Sequence, residues 1–304
     1  MIDALIEKII EKQNPTCVGL DTSFDYLPDE MKEGIKDFSG VANAIFAFNK
    51  EIIDHIHDIV PAVKIQIAYY EMYGYCGLTA FLNTITYAKA RGMVVIVDAK
   101  RNDIGATAGC YSKAYLGETD VNGTKLQAFH GDMLTVNGYL GTDGIQPFLD
   151  DMKKFDKGIF VLVKTSNPSG GELQDMMLAD GRTVYELMGA LVERWGAGSV
   201  GKYGYSDVGA VVGATYPTEA AKLRKQLSHT FFLVPGYGAQ GGSADMIRNC
   251  FDANGLGAIV NNSRGILCAY KKNGGTYYEA ARQAAIDMQK DLLAVIGPMG
   301  KKES

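Results

Sequence analysis

No apolar run in this chain of 304 residues approaches the roughly 18 residues that cross a bilayer, so no membrane-spanning helix is expected. Cysteine is sparse. The five, Cys17, Cys76, Cys110, Cys250 and Cys268, show neither paired spacing nor Cys-x-x-Cys, which argues against a disulfide framework and predicts reduced thiols, mostly in the core. The opening Met1-Ile2-Asp3-Ala4 lacks the basic-then-apolar pattern of a secretory leader, and with the thiols this predicts a cytoplasmic protein. Positive charge is not in excess either: 30 basic against 35 acidic residues leave a formal charge of −5, so neither nucleic acid nor an anionic membrane is an expected partner. Any anionic ligand must be held by local groups. Histidine is scarce, with His55 and His57 two apart on a predicted helix and unable to face one metal, and His130 and His229 without a partner in sequence. Gly-x-Ser-x-Gly and the Walker lysine loop are both missing. Linkers, low-complexity tracts and repeats are missing too, which predicts a single domain over 1–304.

What the chain does have is alternation. Short apolar runs at 17–20, 61–67, 93–98, 133–137, 158–165, 208–213, 231–234 and 257–261 read as eight buried strands. Segments of helical spacing lie between and after them, at 41–59, 77–91, 106–116, 142–155, 181–195, 217–227, 243–251 and 276–296. Eight βα units in a chain of this length predict an α/β fold, a (β/α)8 or TIM barrel. An extra amphipathic helix at 2–13, with Leu5, Ile6, Ile9 and Ile10 on one side, is expected to close one end.

The third strand ends in Asp98-Ala99-Lys100-Arg101-Asn102-Asp103, a dense charged set after a fully apolar run. Asp98 and Lys100 lie two apart, so they share a face about 7 Å apart along the strand. A salt-bridged strand end would meet this pattern as well as an active site would. The other strand ends weigh toward the second reading. Catalytic groups of such barrels sit at the C-terminal rim, and the predicted rim carries Asp21, Lys64, Asp98, Lys100, Ser166, Gln240 and Arg264. Lys64 lies inside an apolar strand, where a lysine belongs only if it faces a polar cavity.

After the seventh strand comes Pro235-Gly236-Tyr237-Gly238-Ala239-Gln240-Gly241-Gly242, then a helix opened by Ser243. This matches G-x-G-x-x-G in form, but a dinucleotide fingerprint opens a Rossmann domain, whereas here it follows a seventh strand. The physics is more general, since glycines let backbone N–H groups approach an anion. Arg264, after the eighth strand, adds a guanidinium suited to phosphate. A phosphorylated ligand is therefore expected between strands seven and eight. The clustered Tyr69, Tyr70, Tyr73 and Tyr75 suit packing at the rim or at a subunit interface better than stacking on a base.

These residues resemble the orotidine 5′-phosphate decarboxylase family, most closely its longer bacterial branch. The motifs that carry the resemblance run in order from 16 to 267: Gly19-Leu20-Asp21, Val63-Lys64-Ile65, Asp98-Ala99-Lys100-Arg101-Asn102-Asp103-Ile104-Gly105, Thr165-Ser166-Asn167-Pro168, the glycine loop at 235–242, and Ser263-Arg264-Gly265. Asn102 and Ala106 stand where glycine and serine are usual, and Asn102 is expected to tolerate left-handed geometry. The resemblance implies a homodimer in which Lys64, Asp98 and Lys100 serve their own barrel while Asp103 and Thr107 reach across to the neighbour's ligand. It also implies that Asp21 and Lys64 bind ribose hydroxyls, Ser166 reads the pyrimidine amide edge, Gln240 bridges base and phosphate, and Arg264 binds the phosphate. No metal or organic cofactor is implied. A related barrel chemistry using Mg²⁺ would want a further acid at the end of the second strand, where this chain presents Lys64. The connection 166–184 is the expected mobile lid.

Overall fold

The structure, a computed structural model, describes residues 1–238 and 241–300. The strands among these residues are β1 (Thr16–Gly19), β2 (Ala62–Gln66), β3 (Val94–Arg101), β4 (Thr119–Val121), β5 (Thr124–Leu126), β6 (Met133–Val136), β7 (Gly158–Lys164), β8 (Val208–Val212), β9 (Phe232–Val234) and β10 (Ala258–Asn262). All but β4 and β5 close a parallel barrel in the order β1-β2-β3-β6-β7-β8-β9-β10, with β10 returning to β1. Helices connect the strands, including Phe38–Ile56, Gly74–Ala90, Thr142–Phe155 and Val184–Gly196, and Tyr277–Ile296 follows the last one. The (β/α)8 expectation is met.

The period of two along each strand builds the core and the site together. On β3, Val95, Val97 and Ala99 face outward into the large apolar layer shared with the helices, whereas Val94 and Ile96 face inward with Cys17, Ala62, Met133 and Phe160. Asp98 is the next inward position, above those two apolar levels. On β2 the same alternation sends Val63 and Ile65 out and Ala62 in, so Lys64 follows inward. The register sets Lys64 beside Ile96 and Gly19, on the two neighbouring strands. Charges thus arrive in the upper layer of a barrel whose lower layers are packed dry.

Helix Ile2–Lys12 covers the lower end, burying Ile2, Leu5, Ile6 and Ile9 against the inward-facing layer. Each such side chain contributes about 2 kcal/mol before entropy is counted. Ile2 joins that face in place of Ile10, which is only half-buried. The Met1 ammonium pairs with Asp156 at 2.5 Å and the Ile2 N–H donates to Asp207 at 2.7 Å, fastening the helix to the loops that enter β7 and β8.

Several local expectations differ. The β4–β5 hairpin was not anticipated, although Asn122-Gly123 carries the signal of a two-residue turn, and both residues have positive φ, 51° and 86°. The helix expected at 181–195 starts only at Val184, because Thr183 and Glu186 form a capping box there. The helix expected at 243–251 is a single turn, Ala244–Ile247, followed by a 3-10 turn.

Candidate active site

Lys64 reaches both neighbouring acids, donating to Asp21 at 3.0 Å and to Asp98 at 2.9 Å. Lys100 completes the row with a 2.6 Å bond to the other oxygen of Asp98. Lys64 and Asp98 are buried, 4% and 6% exposed, so their charges depend on one another rather than on water. Burial works against the charge on Lys64, but Asp21 and Asp98 outweigh it and hold its pKa well above the usual lysine value. Burial likewise favours neutral Asp98, yet Lys64 and Lys100 prevail and keep its carboxyl below the usual carboxylate range. The same burial pushes the Cys17 thiol up, so it is an inert core thiol.

The backbone turns sharply at Lys100, whose φ is +49°. Asn102, which could tolerate left-handed geometry, is not called on to adopt it; the strain sits on the lysine itself. It coincides with a register irregularity between Val97 and Arg101 on the β6 side of β3. Thr135 of β6 supports the turn: its hydroxyl accepts the Lys100 N–H at 3.0 Å and donates to Asp98 at 2.8 Å.

These groups line a cleft of about 680 Å³ at the strand ends, together with Ser166 and Arg264. That is ample for a nucleotide-sized ligand. Arg264 and Ser263 come from the end of β10, and Tyr237 from the glycine loop. Gly236, Gly238 and Gly241 all have φ between 71° and 99°, a backbone that other residues adopt only with strain. Gln240 lies outside the described residues. Ser243 occupies the N-cap position without a side-chain cap bond, and the helix after it is one turn. The donors available to an anion here are therefore loop N–H groups and Arg264 rather than a helix dipole.

Asp21, Lys64, Asp98, Lys100, Ser166 and Arg264 thus meet in one cleft. Asp103 and Thr107 do not line it: Asp103 accepts the N–H of Ile104 at 2.7 Å, and Thr107 is exposed. The tyrosines divide. Tyr69 lines the cleft, Tyr70 is fully buried with its hydroxyl on the Leu20 carbonyl at 3.0 Å, Tyr73 is buried, and Tyr75 is exposed.

Sequence reasoning missed the roles of five residues. Thr135 reads as an ordinary strand residue. Asn261, Asn262 and Ser263 read as a strand end, yet all three line the cleft and both asparagine Oδ1 atoms are buried without a hydrogen-bond partner among the described residues. Lys164, fully buried, was also passed over. It pairs at 2.5 Å with Asp175 and sits 4.6 Å from the ring centre of Tyr216, while the neighbouring Gln174 side chain exchanges two hydrogen bonds with Thr165.

The sequence profile described as the orotidine 5′-phosphate decarboxylase / HUMPS family matches residues 16–277. The chain belongs to this family. Among proteins carrying the name orotidine 5′-phosphate decarboxylase, that of Caldicellulosiruptor bescii is 45% identical over 274 residues, covering 88% of this chain and 90% of its own. That of Clostridium perfringens strain SM101 is 44% identical over 296 residues, covering 97% and 98%. The solved OMP decarboxylase of Leishmania donovani superposes with a TM-score of 0.75 at 29% identity, over 97% of this chain and 98% of that one. As a member of the orotidine 5′-phosphate decarboxylase / HUMPS family, the chain is an enzyme of the carbon–carbon lyase class. None of its described helices is long and apolar enough to cross a membrane.

Proposed function

We infer that the chain converts orotidine 5′-phosphate to uridine 5′-phosphate, the last step of de novo pyrimidine nucleotide synthesis, without a cofactor. The observation that carries this reading is the row Asp21–Lys64–Asp98–Lys100, buried at Lys64 and Asp98 and opening at Lys100 onto a cleft that Arg264 also lines. Loss of CO2 from C6 leaves an sp² carbanion that the ring carbonyls cannot delocalise as an ordinary enolate. An external positive charge must stabilise it, and Lys100, fixed against Asp98, is oriented before the charge develops. Lys100 then gives its proton to C6. Asp98 faces the departing carboxylate and keeps the ammonium in place. A divalent metal finds little purchase on these acids, because Asp21 and Asp98 are already neutralised by lysine ammoniums.

Ser166 is assigned to the pyrimidine amide, Asp21 and Lys64 to the ribose hydroxyls, Gln240 to a bridge between base and phosphate, and Arg264 to the phosphate. Binding energy from that phosphate helps hold the base against the charged row. The working form is a cytoplasmic homodimer of single-barrel subunits, with Asp103 and Thr107 supplied to the partner's site. Supporting this, Ile104, Tyr139 and Leu140 are exposed by 61%, 75% and 43% on loops that meet where Gly144 packs against the Asp103 backbone. The loss of orotidine 5′-phosphate absorbance, followed with EDTA present, tests the reaction. Wild type should turn over unimpeded and Lys100→Ala should lose about 10³-fold or more in kcat. A wild type without decarboxylation sinks the reading.

A further inference from the structure

Where the barrel closes, β10 returns to β1, and three side chains form a hydrogen-bonded run that ends on Asp21. Ser263 Oγ donates to Asp21 Oδ2 at 2.7 Å, and Asn261 Nδ2 donates to Ser263 Oγ at 3.2 Å. The direction of this run is forced. An ionised carboxylate only accepts, so the single hydroxyl proton of Ser263 goes to Asp21, and Ser263 can then only accept from Asn261. That fixes the amide with its nitrogen toward Ser263 and its oxygen away. Asn261 is 6% exposed, and its Oδ1 has no partner among the described residues although it belongs to the cleft lining. An acceptor left bare in a buried position is unfavourable unless a donor arrives. The opposing strand makes room for the run: a Cβ on Gly19 would lie 1.8 Å from Ser263 Oγ and 3.0 Å from Asn261 Oδ1.

The geometry points to Ser263 and Asn261 as the residues that make this cleft select a ribose, Ser263 by orienting Asp21 and Asn261 by offering its bare oxygen to a ligand hydroxyl. Two acceptors linked through Ser263, the Asp21 carboxylate and the Asn261 carbonyl, suit the two O–H donors of a cis-diol. Lys64 holds Asp21 from its other oxygen at 3.0 Å, so Ser263 is the second point that fixes the carboxylate plane. A site built this way rejects a ligand that lacks one hydroxyl, because the orphaned acceptor stays buried and unpaired. Ser263 is a positioning residue, acting through Asp21. The inference rests on the nucleotide reading above and adds which groups enforce its sugar.

The test is calorimetric binding of uridine 5′-monophosphate, its 2′-deoxy and its 3′-deoxy forms to wild type, Ser263→Ala and Asn261→Leu, with decarboxylation and thermal melting measured alongside. Wild type should prefer the full ribose over at least one deoxy form by about tenfold or more. Each variant should lose most of that preference while still melting cooperatively and still binding inorganic phosphate as wild type does. Equal loss of affinity for all three nucleotides, or an unchanged preference in both variants, overturns the assignment. If wild type neither binds the uridine nucleotide nor decarboxylates orotidine 5′-phosphate, the nucleotide reading itself has failed, and this assignment with it.

Discussion

Asp98 sits at the centre of the charged row, and its surroundings set a pH window for stability. Its carboxyl titrates below the usual range in the folded protein. Its contribution is therefore complete above the unfolded value of about 4 and is lost as pH falls through the depressed folded value. Lys64 has a raised pKa, so its contribution is complete below about pH 10.4 and is lost only as pH rises through the raised value. Asp98→Asn removes the acid between two ammoniums while leaving Lys64 its bond to Asp21. The variant should lose about 3 kcal/mol of stability across neutral pH. Urea melts at pH 7 and again in strong acid check this, since the deficit against wild type must narrow where Asp98 is protonated in both states. A deficit independent of pH would mean that packing, not charge pairing, accounts for the loss. Asn in that position should also abolish turnover, because Lys100 loses the group that aims it.

Between the elements, the connection after β7 is anchored more firmly than a free lid. Consecutive residues Gln174 and Asp175 fasten to consecutive residues Thr165 and Lys164, leaving 166–173 as the span between fixed points. Asp175→Asn strands a fully buried ammonium against Tyr185 and Tyr216. Because Asp175 itself is half-exposed, the expected cost is about 2 kcal/mol rather than that of a fully buried pair. Amide exchange should quicken across 166–178, and KM should rise about tenfold with kcat kept within a few-fold. Unchanged exchange there would show that the anchor lies elsewhere. This anchor also marks how far the sequence could be read. Asp98, Lys100, Lys64 and Asp21 were legible because the inward alternation of an apolar strand is broken by charge, and a broken period needs no partner to be noticed. Thr135, Ser263 and Asn261 break no period. Their roles exist only because β6 lies beside β3 and β10 closes onto β1, bringing Ser263 to Asp21 across 242 residues of sequence. Lys164 was hidden for a related reason: the register irregularity between Leu162 and Lys164 turns it away from the barrel interior toward Tyr185 and Tyr216.

At the scale of the whole molecule, the question is whether one chain holds a complete site. Lys64, Asp98 and Lys100 meet in the chain's own cleft, whereas Asp103 and Thr107 stay outside it, beside the exposed Ile104. If Asp103 serves the neighbouring barrel, two inactive variants should repair each other. A subunit carrying Lys100→Ala still offers an intact Asp103, and one carrying Asp103→Ala still offers an intact Lys100. In a mixed dimer, the site of the second subunit receives its own Lys100 and the first subunit's Asp103, while the other site lacks both. Random exchange makes half of the dimers mixed, each with one complete site of two, so about a quarter of wild-type activity should return after the variants are unfolded and refolded together. Mixing without subunit exchange should restore nothing. If Asp103 instead acts within its own chain, every subunit in the mixture lacks one of the two groups, and activity stays at the level of the separate variants.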